Sequence, residues 1–310
     1  MPQQITILMA TYDGATYLAA QIDSLLAQTD RNWRLLVSDD GSHDETRAIL
    51  DGYARGRLAG RLSVIDGPGQ GATANFLSLI RQAETGDWIA FCDQDDIWHP
   101  EKLARARAWL SGQAGPAVYA ARTTICDQDM HPLGPAPHFP GPFGFRNALV
   151  QACLPGNTTL VNALGLALLQ AASPAAEAAG IVSHDWWVYQ IMAGADARIH
   201  RDAAQVLLYR QHPGNVMGRN DTTSARAARA SMLFDGTFAG WLAANQAALE
   251  AAAPLLSLPN RQILRHFREV MQAPGPLAFS RMLRMGLYRQ TRPASLALYL
   301  AALAGRLRGR

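Results

Sequence analysis

Four short apolar segments alternate with segments of helical spacing in the first half of the chain, and this alternation restricts the fold more than any other feature. The predicted strands cover residues 5–10, 34–38, 61–65 and 88–92. Apolar residues between them recur three and four positions apart, which is the repeat of an amphipathic helix. Strands joined by such helices lie parallel, with helices on both faces of the sheet. We therefore predict an α/β fold with a mainly parallel central sheet.

The second half of the chain is organised differently. Five prolines between residues 130 and 145 predict an irregular loop there. Strand-like and helical segments resume as far as Tyr209, and from about Ser224 the pattern is helical and rich in alanine. The sequence is therefore interpreted as an α/β domain over residues 1–220 and an all-helical extension over residues 221–310.

Positive charge is concentrated at the C-terminal end. The formal net charge is +3, but residues 261–310 contain ten arginines and Glu269 as their one acid. Such a segment favours an anionic surface, and membrane lipid is preferred because no nucleic-acid-binding motif accompanies the charge. The alternative is an ordinary solvated helix face.

Composition excludes several classes of protein. Three scattered cysteines are too few for a disulfide framework or a zinc site. No apolar run reaches the roughly 18 residues of a membrane span, and no signal-type segment opens the chain. The expected location is the cytoplasm, with peripheral attachment to the inner face of the cell membrane.

An acidic cluster follows the fourth predicted strand directly. Asp93, Asp95 and Asp96 occupy three of four consecutive positions. Carboxylates this close repel one another, so the cluster requires raised pKa values, basic partners or a cation. Carboxylate oxygens favour hard divalent ions, which makes Mg²⁺ or Mn²⁺ the candidate metal. The other interpretation is a polar turn before the helix that Pro100 opens.

Polar residues also follow the first two predicted strands. Because the carboxyl ends of parallel strands meet at one edge of a sheet, these residues are candidates for a nucleotide site. Tyr12 has a ring that can stack on a base, and Asp40 can accept from a base imide N–H. Asn75, on the first turn of the third helix, is expected to face the ligand. The glycine-rich segment 67–72 fits a dinucleotide-binding pattern poorly in context and is interpreted as a flexible turn. Taken singly, each of these residues also fits an ordinary turn.

Two signals lie later in the chain. Asp185 stands at a predicted helix start beside Trp186 and Trp187, where the helix dipole also favours an acid for structural reasons. His212 ends a strand-like segment and is held extended by Pro213. A lone histidine is more often structural than a ligand, so neither residue identifies a site alone.

In order, these motifs resemble the family 2 glycosyltransferases, and within them the rhamnosyltransferase-like branch of bacterial surface-polysaccharide synthesis. The motifs are Ile-Leu-Met-Ala-Thr-Tyr-Asp-Gly (7–14), Leu-Val-Ser-Asp-Asp-Gly-Ser (36–42), Asp-Gln-Asp-Asp-Ile-Trp (93–98), His-Asp-Trp-Trp (184–187) and Tyr-Arg-Gln-His (209–212). The resemblance implies a GT-A fold, a UDP- or dTDP-sugar donor, Mn²⁺ or Mg²⁺, and inversion at the anomeric carbon.

The resemblance also implies a role for particular residues. Asp185 corresponds to the general base, and Asp95 and His212 to the metal and diphosphate site, with Asp93 approaching both the ribose and the metal. Asp13 departs from the asparagine that is common in the family, which leaves its role open. The implied donor-binding residues are Ala10, Thr11, Tyr12, Asp39, Asp40, Asn75, Asp93 and Gln94.

The acceptor implied by the resemblance is a saccharide or a lipid-linked saccharide. The Gln-x-x-Arg-Trp motif of processive synthases is absent from the sequence, which favours transfer of one or a few sugars. Two alternatives remain open. The first is a sugar nucleotidyltransferase that uses the same acidic residues and metal ion, and the second is an inactive relative that only binds nucleotide sugars.

Overall fold

The computed structural model describes residues 3–212 and 231–308. It divides into two compact units. The sheet unit comprises the described residues within Met1–His138, Leu154–Ser173 and Arg198–Gly218, and the helical unit comprises those within Phe139–Cys153, Pro174–Ala197 and Arg219–Arg310. The boundary expected between residues 220 and 221, and the helix start expected near Ser224, lie outside the described residues.

A nine-stranded sheet forms the centre of the sheet unit, in the order β3-β2-β1-β4-β8-β6-β9-β5, with β7 paired to β6. Its parallel pairs are β1 with β2 and β4, β2 with β3, and β6 with β9; the remaining pairs are antiparallel, so the whole sheet is mixed. The strands are β1 Ile5–Thr11, β2 Trp33–Asp39, β3 Leu62–Asp66, β4 Trp88–Cys92, β5 Ile97–Trp98, β6 Ala117–Cys126, β7 Pro132–Pro135, β8 Leu160–Val161 and β9 Arg198–Arg210.

Helices cover both faces of this sheet. Alternate β1 residues, Ile5, Ile7 and Met9, are fully buried in one core cluster with the apolar face of α1. On the opposite face, Phe76 of α3 packs edge-on against Phe91 of β4, with ring centroids 5.9 Å apart. The helices that follow the first four strands are α1 Ala15–Leu26, α2 Thr46–Arg55, α3 Ala72–Gln82 and α4 Lys102–Leu110. This confirms the predicted α/β class and the predicted parallel order of the first half.

The proline-rich segment contains one element that the sequence analysis excluded. Residues Pro132–Pro135 form strand β7, which pairs with the end of β6 in antiparallel register. The strand lies off the main path of the sheet and is bonded to a single neighbour. Proline cannot donate to a ladder, but an edge strand needs donors on one side only, so prolines are tolerated there. The prediction of an irregular loop was therefore wrong for these four residues.

The helical unit contains α5 Phe145–Ala148, α7 His184–Gly194, α8 Thr237–Ala251, α9 Leu258–Gln272, α10 Gly275–Met285 and α11 Arg292–Leu303, while α6 Ala163–Ala179 spans the division between units. Leu264, Phe267, Met282 and Leu298 are buried among the last three helices. The described part of the C-terminal region, residues 231–308, is helical without strands, as predicted. None of the described helices combines the length and apolar character that crossing a bilayer demands.

Candidate active site

The carboxyl ends of β1, β2 and β4 lie side by side, because β1 pairs in parallel with both of the others. Thr11 at the end of β1 is in register with Asp39 at the end of β2, and its hydroxyl donates to the Asp39 carboxylate at 3.0 Å. Ala10 precedes Thr11 on the same strand, and Asp93 follows the last residue of β4. The structure therefore gathers three of the predicted motifs at one edge of the sheet.

Gln94 binds the loop that carries Tyr12. Its side-chain oxygen accepts from the Tyr12 backbone N–H at 3.0 Å, and its amide nitrogen donates to the Tyr12 carbonyl at 2.9 Å. A Cβ at Gly14 would lie well under 3.0 Å from the Gln94 side-chain oxygen, so the close approach requires glycine. The Tyr12 ring is 53% exposed and is available for stacking. Gln94 thus fixes the backbone of the loop and leaves its aromatic ring accessible.

Asp39 is buried at the centre of a hydrogen-bond network. It accepts from Thr11, Ser42 and, at 2.7 Å, from the Arg47 guanidinium. Burial opposes ionisation, but the hydrogen bonds from Ser42, Arg47 and Thr11 outweigh it and lower the pKa of Asp39. The carboxylate therefore stays charged and holds the turn after β2.

Asp40 holds the glycine-rich loop. Its two carboxylate oxygens accept from the backbone N–H groups of Gly69 and Gly71, each at 2.7 Å. A Cβ at Gly67 would lie 2.7 Å from Asp40 Oδ1 and 2.9 Å from Asn75 Oδ1. The Asn75 amide donates to the Ser38 carbonyl at 2.9 Å. The interaction of Asp40 with a base stays a prediction, and each oxygen retains a second lone pair for it.

Asp95 and His212 meet across the acidic loop. His212 Nε2 lies 2.8 Å from Asp95 Oδ2, and both side chains are largely buried. The Tyr17 ring packs against the imidazole, with centroids 4.9 Å apart. Arg210 donates to the Asp95 carbonyl at 3.0 Å, and its guanidinium stacks over Tyr17 at 4.3 Å. This packing holds the two predicted ligands together.

Asp96 lies beneath the acidic loop, 1% exposed, and accepts from the Asn157 amide at 2.7 Å. Burial, followed by the charges of Asp95 and Asp93, raises the pKa of Asp96 well above its usual value. Lys102 is fully buried nearby and donates to the Asn157 carbonyl at 2.7 Å. Burial lowers the pKa of Lys102 to about 7, although Cys92, Asp96 and Asp93 favour its charged form. Negative charge is therefore crowded at this loop.

The donor set at this loop fits a divalent cation in its chemistry. A carboxylate and an imidazole suit Mn²⁺, and a cation would offset the repulsion by Asp95 and Asp93 that adds to the effect of burial on the pKa of Asp96. Within residues 3–212 and 231–308, the one group of three whose ligand atoms all lie within 4.8 Å of one another is elsewhere, at Asp127, Asp129 and His131. The ligand role of Asp93 therefore stays a prediction.

Asp185 belongs to the helical unit, in the first turn of α7. Ser183 caps this helix by accepting from the Trp186 backbone N–H, and its hydroxyl donates to the Asp185 carboxylate. The Trp186 indole donates to the Ala148 carbonyl at 2.7 Å, and Trp187 is fully buried. These contacts fix the start of α7 and orient Asp185; its role as a base stays a prediction.

A known protein family matches the first half of the chain. The model of the glycosyl transferase family 2 matches residues 6–159. The chain belongs to this family. A dTDP-rhamnosyl transferase of Shigella flexneri is 26% identical over 231 residues, which cover 73% of the chain and 78% of that relative. An Escherichia coli UDP-Glc:α-D-GlcNAc-diphosphoundecaprenol β-1,3-glucosyltransferase is 35% identical over 99 residues, which cover 32% of the chain and 38% of that relative.

Solved structures establish the fold of this family 2 glycosyltransferase. The structure of Staphylococcus aureus TarS residues 1–349 in complex with UDP-GlcNAc matches with a TM-score of 0.52 and 14% identity, covering 98% of the chain and 91% of that structure. The mixed sheet with flanking helices is the GT-A arrangement that the motifs imply. At this level of identity the likeness concerns the fold alone.

Sequence reasoning missed residues that support the acidic loop. Lys102 and Asn157 contact one another 55 positions apart, and Arg210 reaches Asp95 from 115 positions away. A lysine at the first position of a short helix gives no signal of burial. Arg210 was available from the sequence, since it lies in the same motif as His212.

Proposed function

We propose that this family 2 glycosyltransferase is an inverting, divalent-metal-dependent enzyme that transfers a sugar from a nucleotide-sugar donor to a saccharide or lipid-linked acceptor. The observation that carries the proposal is the convergence of the Tyr12 loop, the Asp39–Asp40 turn and the Asp95–His212 pair at one edge of the sheet. A base-stacking ring, carboxylates and a metal-binding pair are the groups that a nucleoside diphosphate requires.

In the proposed reaction, Tyr12 stacks on the base, and Gln94 holds its loop in place. Asp95 and His212 would hold the cation, which when bound would supply positive charge to stabilise the departing diphosphate. Arg210 and Tyr17 keep this pair in position through their contacts with Asp95 and His212.

Asp185 is assigned as the base that removes the proton from the acceptor hydroxyl. In single-displacement chemistry the hydroxyl oxygen attacks the anomeric carbon as the bond to the diphosphate breaks, which inverts that centre. The hydrogen bond from Ser183 and the capped start of α7 hold the Asp185 carboxylate in position.

Rhamnose from dTDP-rhamnose is the first donor to test, because the Shigella relative that matches most of the chain is named for this transfer. The E. coli relative, named for a diphosphoundecaprenol-linked acceptor, supports a lipid-linked acceptor. Both assignments place the protein in cell-surface polysaccharide synthesis.

The assay measures the release of nucleoside diphosphate from dTDP-rhamnose and from UDP-sugars, with Mn²⁺ or with excess EDTA. Metal-dependent release of dTDP or UDP, accompanied by an inverted product linkage, is the expected result. Pyrophosphate release from a nucleoside triphosphate and a sugar phosphate would identify a nucleotidyltransferase. Donor binding without turnover on any saccharide or lipid-linked acceptor would identify an inactive binder.

A cytoplasmic location with peripheral attachment to an anionic membrane is also proposed, through residues 261–310. Leu296, Leu300 and Leu303 are exposed at four- and three-residue spacing along one side of α11, between 43% and 59% accessible. The exposed Arg292 at the start of α11 and the exposed Arg306 after its end would attract anionic lipid, and the leucines would enter its interface.

Replacing these three leucines by serine should reduce sedimentation with anionic vesicles and lower the melting temperature only slightly per substitution, because each side chain is about half exposed. Changing the buried Leu298 to alanine is the contrasting variant, since it should lower the melting temperature much more. Unchanged sedimentation of the triple variant would contradict attachment through α11.

A further inference from the structure

A surface cavity of about 500 Å³, open to solvent, lies on the helical unit among α5, α9 and α10. Three arginines line it: Arg146 from α5, and Arg281 and Arg284 from α10. His266 of α9 adds a further nitrogen, while Ile263 and Met285 contribute apolar wall. A volume of this size is within the roughly 300–1,000 Å³ that is typical of small-ligand sites.

The charge of the cavity is positive and largely uncompensated. Arg281 donates to the Glu269 backbone carbonyl at 2.8 Å, which is a neutral acceptor. Across the described part of the chain, Arg146 and Arg284 have no ion pair with an acid. Glu269 is the one carboxylate among the residues that line the cavity. Three guanidinium groups around one small cavity repel each other, so an anion that enters would be stabilised by all three.

The chemistry of the lining specifies the kind of anion. Guanidinium groups present pairs of N–H donors in a fixed fork that matches the oxygens of a phosphate. An N–H of the His266 imidazole adds one further donor. The apolar wall of Ile263 and Met285 suits a group attached to carbon chains or rings. We propose that this cavity binds the phosphate or diphosphate group of a small or lipid-borne phosphate ester.

The proposal is tested with inorganic pyrophosphate as the probe, by titration calorimetry on the full chain in excess EDTA. Wild-type protein should bind pyrophosphate, and the Arg281→Gln/Arg284→Gln variant should bind about tenfold or more weakly, because it loses charge-assisted hydrogen bonds. The matched control is Arg265→Gln/Arg292→Gln, which removes the same charge at exposed positions outside the cavity. The control variant should bind pyrophosphate within about twofold of the wild-type affinity, since the substitutions change only the long-range electrostatic field, which salt screens.

Equal losses of pyrophosphate affinity in both variants would show a general effect of charge and would overturn the proposal. Unchanged pyrophosphate affinity in the cavity variant would also overturn it. Absence of pyrophosphate binding to the wild type would overturn it as well. The Asp95→Asn variant separates this site from the proposed catalytic one: pyrophosphate affinity in EDTA should persist in it, whereas metal-dependent donor binding should fall. Melting temperatures of all variants report whether the helical unit remains folded.

Vesicles then distinguish the two sources of the phosphate. If the ligand is lipid-borne, wild type should sediment with vesicles that contain phosphatidic acid more than with phosphatidylglycerol vesicles of equal charge, and the cavity variant should lose this difference. If the ligand is a free phosphate ester, the difference should be absent while pyrophosphate binding depends on Arg281 and Arg284.

Discussion

The contact between Gln94 and the Tyr12 loop predicts a specific effect of the Gly14→Ala substitution. Gly14 has φ −98° and ψ 5°, which alanine adopts without strain, so the backbone itself permits the change. The added Cβ would instead overlap the Gln94 side chain, which would have to leave the Tyr12 backbone. Two hydrogen bonds of about 0.5–1.5 kcal/mol each would be lost, or about 1–3 kcal/mol in total.

The loss of these two hydrogen bonds should weaken donor binding, because the loop must be ordered for Tyr12 to stack on the base. A loss of about 1–3 kcal/mol corresponds to roughly 5–150-fold weaker binding of the donor. The measurement is donor affinity by calorimetry, in Gly14→Ala, Gln94→Ala and the double variant. In the Gln94→Ala background the overlap is gone, so adding Gly14→Ala should have almost no further effect.

The matched control is Gly52→Ala in α2, where an added Cβ meets no atom within 4 Å. It should raise the free energy of unfolding by up to about 1 kcal/mol and leave donor affinity unchanged. Additive effects of Gly14→Ala and Gln94→Ala would refute the reasoning, because they would show that the two residues act independently.

Three further predictions concern single residues. Asp185→Asn should reduce turnover about 10²–10⁴-fold with little change in donor affinity or melting temperature; near-normal turnover with weakened donor binding would argue against a base. Asp95→Ala and His212→Ala should each weaken metal-dependent donor binding, and full activity of wild type in excess EDTA would exclude the metal site. Hydrogen bonds lower the pKa of Asp39 below 3.8 in the folded protein. The stability that the ionised carboxylate contributes is therefore complete above pH 3.8 and is lost as the pH falls through the lower folded pKa. The melting-temperature difference between wild type and Arg47→Gln should therefore be largest near neutral pH and should shrink below pH 3.8, and a constant difference would contradict this.

Local patterns in the sequence were sufficient for the first four strands and their helices. Period-two and helical spacing are properties of neighbouring residues, so the order of these elements and the edge at which polar groups gather followed from them. Residues at the ends of β1 and β2, such as Thr11 and Asp39, were placed correctly for the same reason, since parallel pairing brings strand ends together.

The features that the sequence analysis missed depend on contacts between distant residues. The glycine-rich segment was interpreted as a flexible turn, but Asp40 binds two of its backbone N–H groups from about 30 positions away. Asp96 is buried against Asn157, which is 61 positions further along the chain. The antiparallel pairings of β8 and the edge strand β7 likewise arise from chain segments that carry no strong strand pattern of their own. Such elements form because they pair with distant segments in the folded protein, and a single sequence does not show these pairings directly.

The cap at the end of α7 has a consequence for exchanging parts between related enzymes. Asn260 donates to the carbonyls of Ala193 and Gly194 at 3.2 and 3.0 Å, and Phe238 stacks on Trp186 with ring centroids 6.0 Å apart. The helix that bears Asp185 is thus completed by residues about 50 to 75 positions later in the chain. A chimaera joined between α7 and α8 would combine a helix from one parent with the cap of another, and its helix end would lose the asparagine hydrogen bonds unless the second parent also has that asparagine. A chimaera should therefore take α7, α8 and α9 from the same parent.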